Sequence, residues 1–194
     1  MIYLASASPR RSELLRQIDV PHEVRPVDID ETPRAGESPA QYALRLAGEK
    51  ARALWDRLPV AERRPVLAAD TTVALGDEIL GKPTDRDDAT RILGRLSGRD
   101  HEVHTAVALL HEGGAAARLS TSTVGFRHIT AAEFDWYWRT GEPADKAGAY
   151  AVQGRGAIFI RHLAGSYSGV MGLPLYETWE LLAPLPGLTG RGAA

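Results

Sequence analysis

No cysteine occurs among the 194 residues, so a disulfide framework, a thiolate metal site and a cysteine nucleophile are all excluded. Asparagine is absent too, and of the 23 basic residues only three, Lys50, Lys82 and Lys146, are lysine. Apolar runs long enough to cross a bilayer are missing, and the first residues lack the basic, then apolar, then small-residue order of a signal peptide. These absences predict a cytoplasmic protein with no membrane partner. An excess of charge is missing as well: a net charge of -2 argues against a chain that binds nucleic acid by neutralising phosphates. What remains is ordinary globular composition, 44% hydrophobic and 25% charged, at a length that suits one domain. The shortage of lysine carries information of its own. A coding bias that writes arginine wherever a surface cation will do leaves lysine mainly where a compact ammonium on a flexible stem is needed, which singles out Lys50, Lys82 and Lys146.

Helical and extended patterns interleave along the chain, so the expected fold class is α/β. Residues 2–5 read as a short buried strand, and Pro9 suits the first turn of a helix whose apolar side is Leu14, Leu15 and Ile18. His22 to Ile29 alternates like a second strand. Ser38-Pro39-Ala40-Gln41 has capping-box spacing and opens a helix to about Leu58 that carries Lys50. VLAAD at 66–70 reads as a buried strand ending in an acid, and TVAL, Gly76-Asp77 and EIL as a hairpin. A helix is expected over Thr84–Leu96. HEVHTAVALL and ARLSTSTVGF read as strands joined through Gly113-Gly114, and Thr130 with Glu133 as a second capping box. The glycine-rich zone 148–172 holds a strand at AIFI, and Pro174–Leu182 is the last helix. Residues 1–186 are expected to form one domain, with 187–194 a loose tail.

Three catalytic patterns come close and fail. GDEILGKP at 76–83 resembles a phosphate loop, but Pro83 has neither the hydroxyl nor the N–H that the last position needs, and the stretch spans a hairpin. On a strand, the histidines of HEVH at 101–104 point to opposite faces, whereas a zinc pair needs helical spacing. GSYSG at 165–169 has no serine at the centre of G-x-S-x-G. The tryptophan-rich DWYWR reads as core and interface.

Charged residues at element ends are more informative. Ser8, Arg10 and Arg11 stand at a helix start, where free N–H groups and paired guanidiniums favour an anion such as phosphate, although two such arginines also occur as plain surface charges. Asp70 ends a buried strand and Glu31 lies in a polar loop; two hard oxygen ligands of this kind suit Mg²⁺ or Mn²⁺. Cations, carboxylates and a helix N-terminus together are what metal-assisted phosphoryl chemistry needs.

SASPRR, LAADTTV, GKP, DKAGAYAVQG and GSYSGVMGLPL, in that order, resemble the Maf family of nucleoside triphosphate pyrophosphatases over residues 4–182. The resemblance implies an elongated α/β fold like that of inosine triphosphate pyrophosphatases, a mixed sheet with flanking helices, two lobes around a cleft, and commonly a homodimer. It implies hydrolysis between the α and β phosphates with a divalent metal. Thr71 after the key acid, together with Gln153, resembles the branch acting on dTTP and UTP. On matching positions Asp70 is then the catalytic acid–base residue and Glu31 its acidic partner at the metal. Arg10, Thr71 and Gln153 are tied to base choice, while Ser8, Arg11, Lys50 and Lys82 handle phosphates. Ala69, Thr72 and Met171 depart from the usual pattern without removing a charged group. The family is also linked to septum formation, which leaves a nucleotide-binding regulator as an alternative. A 7-methyl-GTP pyrophosphatase is a further alternative, disfavoured by Thr71 and Gln153.

Overall fold

Ile2, Tyr3 and Leu4 form the buried strand β1 (Ile2–Leu4), and Pro9 starts helix α1 (Pro9–Gln17), which buries Leu14 and Leu15. These assignments come from a computed structural model that describes residues 1–185; the expected tail at 187–194 and the final residue of the expected domain lie outside the described residues. The second strand is shorter than expected, β2 (His22–Val24), and does not continue to Ile29. Its neighbour β1 ends at Leu4, the last bond between them runs from Arg25 N–H to the Leu4 carbonyl, and Pro26 has no N–H to extend the ladder.

Helix α2 (Pro39–Arg57) is closed by both arms of the expected capping box, Ser38 with Gln41. VLAAD and TVAL are one continuous strand, β3 (Val66–Leu75), which turns at Gly76 into β4 (Glu78–Leu80). Helix α3 (Arg86–Leu96) starts two residues later than expected, with Asp85 as its cap. The long hairpin β5 (Asp100–His111) and β6 (Gly114–Phe126) is followed by α4 (Ala131–Arg139), whose Thr130–Glu133 box is also complete. AIFI is not a strand: residues Arg155–Phe159 make a 3₁₀ turn that buries Phe159, and β7 (Ile160–Ala164) begins at its last residue. A short helix α5 (Tyr167–Met171), which the sequence reading did not foresee, precedes α6 (Leu175–Leu182).

All seven strands join one mixed sheet in the order β2-β1-β3-β5-β6-β7, with β4 also on β3. β2, β1 and the start of β3 run parallel; every other pairing is antiparallel. Helices α1 and α6 cover one face at one end through Ile2, Leu4, Leu67, Ala69, Val107 and Leu109, and α2 covers the opposite face through Ala43, Ala47, Leu54 and Trp55. At the far end a separate cluster joins Val73, Ile92, Leu96, Val103, Phe126, Tyr137 and Phe159. Two lobes result. No helix among the described residues is long and apolar enough to cross a membrane.

Candidate active site

β3 has a gap along one edge. β1 pairs with it at Val66 and Leu67, β4 at Val73 to Leu75, and among the described residues no strand covers Ala68–Thr72 on that side. A cavity of about 610 Å³ opens there. Every site residue expected from the sequence lines it: Ser8, Arg10, Arg11, Glu31, Lys50, Asp70, Thr71, Lys82 and Gln153. Lys146, singled out by composition alone, lines it as well, so all three lysines of the chain meet at one cavity.

Strand alternation divides the acid from its neighbour. Asp70 and Thr72 face α2, and Thr71 faces α1 and α5. Asp70 is buried, 6% exposed, and takes a hydrogen bond on each oxygen: Lys50 Nζ donates to Oδ1 at 2.8 Å and Thr72 Oγ1 to Oδ2 at 3.2 Å. Thr72 thus helps to fix the orientation of the Asp70 carboxylate towards the lysine. Lys50 Nζ also contacts Glu31 Oε1 at 2.6 Å, so one ammonium holds both carboxylates. Partial burial pushes the Glu31 pKa up, but the hydrogen bond and charge of Lys50, helped by Lys82 and Arg11, outweigh it and leave the carboxyl below its ordinary 4.5.

The polar loop that carries Glu31 is fastened to α2. Tyr42 Oη donates to the Glu31 carbonyl at 2.7 Å, and Arg45 donates to the Thr32 carbonyl and to Glu37. Burial first, then the charges of Asp70 and Glu31, raise the Tyr42 pKa to about 12, which keeps this donor protonated. Tyr42 was missed from the sequence, although Tyr42, Leu46 and Lys50 lie on one i, i+4, i+8 stripe of α2.

On the other face, Arg11 donates from Nε to the Gly172 carbonyl at 2.7 Å, from Nη1 to Ser6 Oγ at 3.0 Å and from Nη2 to Thr71 Oγ1 at 3.2 Å. Burial is the strongest influence on this guanidinium and lowers its pKa below the ordinary arginine value, against the charges of Asp70 and Glu31. Thr105, which sits opposite Thr71 in the β3·β5 register, lies 3.1 Å from its hydroxyl and donates to the Gly169 carbonyl at 2.7 Å. Because Thr105 has one hydroxyl proton and Gly169 O can only accept, the Thr71 proton goes to Thr105, and Thr71 accepts from Arg11. Thr105 gave no sequence signal, since strand register alone brings it there.

Ser8 precedes α1, but its hydroxyl makes no capping bond, leaving the first N–H groups of the helix without a side-chain acceptor. Lys82 is exposed, and Lys146 pairs with the Asp145 carboxylate. The apolar part of the cavity lining includes Val73, Ile79, Val103, Tyr150, Val170 and Met171. The HEVH histidines stay out of the site. His101 is buried against Phe126 and bonds Tyr150 Oη at 2.8 Å, and His104 bonds Thr121 at 3.1 Å.

Glu31 and Asp70 both lie within hydrogen-bond distance of one small cation, Lys50 Nζ, so their oxygens converge as a metal pair would require. No group of three or more histidine or acidic side chains among the described residues is placed to hold a metal. Such a donor set fits a Mg²⁺ or Mn²⁺ ion whose remaining ligands come from substrate phosphates and water.

The Maf-like protein family model matches residues 1–185. Curated relatives include the dTTP/UTP pyrophosphatase of Nitrosomonas europaea, 52% identical over 93% of this chain and 92% of that protein. The dTTP/UTP pyrophosphatase of Myxococcus xanthus is 52% identical over 96% and 95%, and that of Pseudoalteromonas atlantica 50% identical over 94% and 96%. Among solved structures, the Staphylococcus aureus Ham1 protein is similar with a TM-score of 0.45 and 13% identity, over 64% of this chain and 71% of that one.

Proposed function

The chain belongs to the Maf family, and from that membership and its cleft we propose that it is a pyrophosphatase of nucleoside triphosphates, hydrolysing dTTP and UTP to the monophosphate and pyrophosphate. The observation that carries this reading is a buried carboxylate, Asp70, at the base of a cleft that also holds Arg10, Arg11, Lys50, Lys82 and Lys146. A carboxylate among cations suited to a polyphosphate supports a reading of Asp70 as proton acceptor.

In the proposed reaction a water oxygen attacks the α-phosphorus and the bond from that phosphorus to the α–β bridging oxygen breaks, so pyrophosphate leaves with the bonding electrons. Asp70 orients the water and takes its proton. Arg11, Lys50 and Lys82 face the charge that grows on the leaving pyrophosphate, and the uncapped start of α1 at Ser8 offers further N–H donors. Glu31 and Asp70 would hold the divalent metal, which when bound neutralises phosphate charge. Arg10, Thr71 and Gln153 select the base, with Gln153 presenting both a donor and an acceptor to the O4 and N3–H edge of uracil or thymine. A cytoplasmic homodimer completes the proposal.

Pyrophosphate release from dTTP, UTP, CTP, dATP, GTP and 7-methyl-GTP, with Mg²⁺ or Mn²⁺, tests it. Turnover should favour dTTP and UTP, and Asp70→Asn should lower kcat by roughly 10²–10⁴-fold, as expected for loss of a positioned base. Turnover of no triphosphate would sink the catalytic reading.

A further inference from the structure

Gln153 stands in a tight turn, closed by a bond from Gly154 N–H to the Ala151 carbonyl at 3.3 Å, and its side chain is exposed to the cleft. Both ends of that turn are tied to one pair of side chains that themselves stay outside the cleft. Tyr137 is wholly buried, and its hydroxyl oxygen accepts from Ala151 N–H at 3.1 Å. The same hydroxyl donates to Glu142 Oε1 at 2.6 Å. Glu142 in turn accepts from Gly156 N–H on Oε1 at 3.0 Å and from Arg155 N–H on Oε2 at 2.9 Å. The approach is close: a Cβ on Gly156 would lie 2.6 Å from the Tyr137 oxygen.

Those bonds leave little freedom at either flank of Gln153. We infer that Tyr137 and Glu142 are positioning residues for base selection, holding the Gln153 turn at the depth and angle from which its amide meets the pyrimidine edge. The inference rests on the proposal that Gln153 reads the base. Both residues act only through the backbone, so neither is a catalytic residue. Their spacing matches their places in the fold: Tyr137 comes from the last turn of α4, and Glu142 starts the 3₁₀ turn that follows it. Glu142 is ionised at neutral pH, because the bonds from Tyr137, Arg155 and Gly156 outweigh the effect of its burial.

Tyr137→Phe removes the oxygen and keeps the buried ring, while Glu142→Gln turns one acceptor oxygen into a donor that faces a backbone N–H. The test compares the two variants with Gln153→Ala, measuring kcat and KM for UTP and CTP. The UTP over CTP preference in kcat/KM should fall by about tenfold in both positioning variants, mainly through a higher KM for UTP. Hydrogen exchange should quicken at Ala151 in the first variant and at Arg155 and Gly156 in the second. A purely structural role would lower the melting temperature and scale both substrates alike, which would overturn the inference. An unchanged preference in these two variants, alongside a lost preference in Gln153→Ala, would also overturn it while leaving base reading intact. An unchanged preference in Gln153→Ala removes the base-reading proposal and this inference with it. Should Glu142→Gln fail to fold, Tyr137→Phe reads the same link.

Discussion

Lys50 links the two carboxylates of the site, because its ammonium stands between Glu31 and Asp70. With Asp70 at 2.8 Å and Glu31 at 2.6 Å, its removal leaves like charges side by side in a partly dry cleft. Lys50→Met should therefore raise the Glu31 pKa, since the partner that holds it down is gone. The acidic limb of the pH–rate profile should move to higher pH, and activity at pH 6 should fall further than activity at pH 8. Stability should respond with its own sign: an unpaired buried carboxylate is destabilising when charged and relieved when protonated. The variant should lose about 3 kcal/mol at pH 8 and less at pH 5. Urea denaturation at the two pH values decides it, and an equal loss at both would show that the carboxylates do not depend on Lys50. The compositional argument for lysine found this residue because a shortage concentrates meaning in the few that remain.

At the scale of elements, local signals were legible and tertiary ones were not. Both capping boxes could be read because Ser38 with Gln41 and Thr130 with Glu133 act within one helical turn. The end of β2 could not, because it depends on where β1 stops, and neither could the turn at AIFI, where burial of Phe159 outweighs strand propensity. Every expected site residue lines the cleft, whereas Tyr42, Thr105, Tyr137 and Glu142 could not be found, since strand register and side-chain reach alone bring them into contact with residues that line it or flank Gln153. The segment from Lys146 to Tyr150 shows what such tertiary demands cost. Gly148 has φ of +69°, and a Cβ there would lie 2.9 Å from Val73 Cγ1. Ala149 beside it is also left-handed, at φ of +57°. Gly148→Ala adds a left-handed penalty of about 1–2 kcal/mol to a clash with a strand that lines the cleft, so a total loss of roughly 3 kcal/mol is expected. Turnover should fall by more than the fraction unfolded accounts for, because Val73 and Lys146 both face the cavity. A variant as stable and as active as the parent would show that this backbone conformation does not shape the site.

Across the whole molecule the lobes share their strands, and that governs how they can move and unfold. β3, β5 and β6 are 10, 12 and 13 residues long, and each runs through both lobes, so the cleft is a gap along one edge of β3 in a sheet that is continuous between them. Loss of either lobe should therefore take the other with it. Trp55 packs in the α2 cluster and Trp138 against the far one, so each reports on a different lobe. Chains retaining only Trp55 or only Trp138 should show the same urea midpoint, and separate midpoints would refute the coupling. His101 supplies a perturbation confined to the far lobe. Burial lowers its pKa from 6.5 to about 4, against the charge of Asp100, and its Nδ1 has no hydrogen-bond partner among the described residues. Between those values the unfolded chain binds the extra proton, so stability is complete above about pH 6.5 and drains away as pH falls towards 4. The expected loss between pH 7 and pH 5 is roughly 2 kcal/mol. Glu37 and Glu133, each held down to about 2, contribute with the carboxylate sign, lost as pH falls below their ordinary 4.5, and so act mainly beneath this window. Burial also lowers the His104 pKa, with the same sign, so His101→Gln should shrink the pH 7 to 5 step and leave the part that His104 contributes. If the sheet couples the lobes, Trp55 must register that step as fully as Trp138, although the titrating ring belongs to the other lobe.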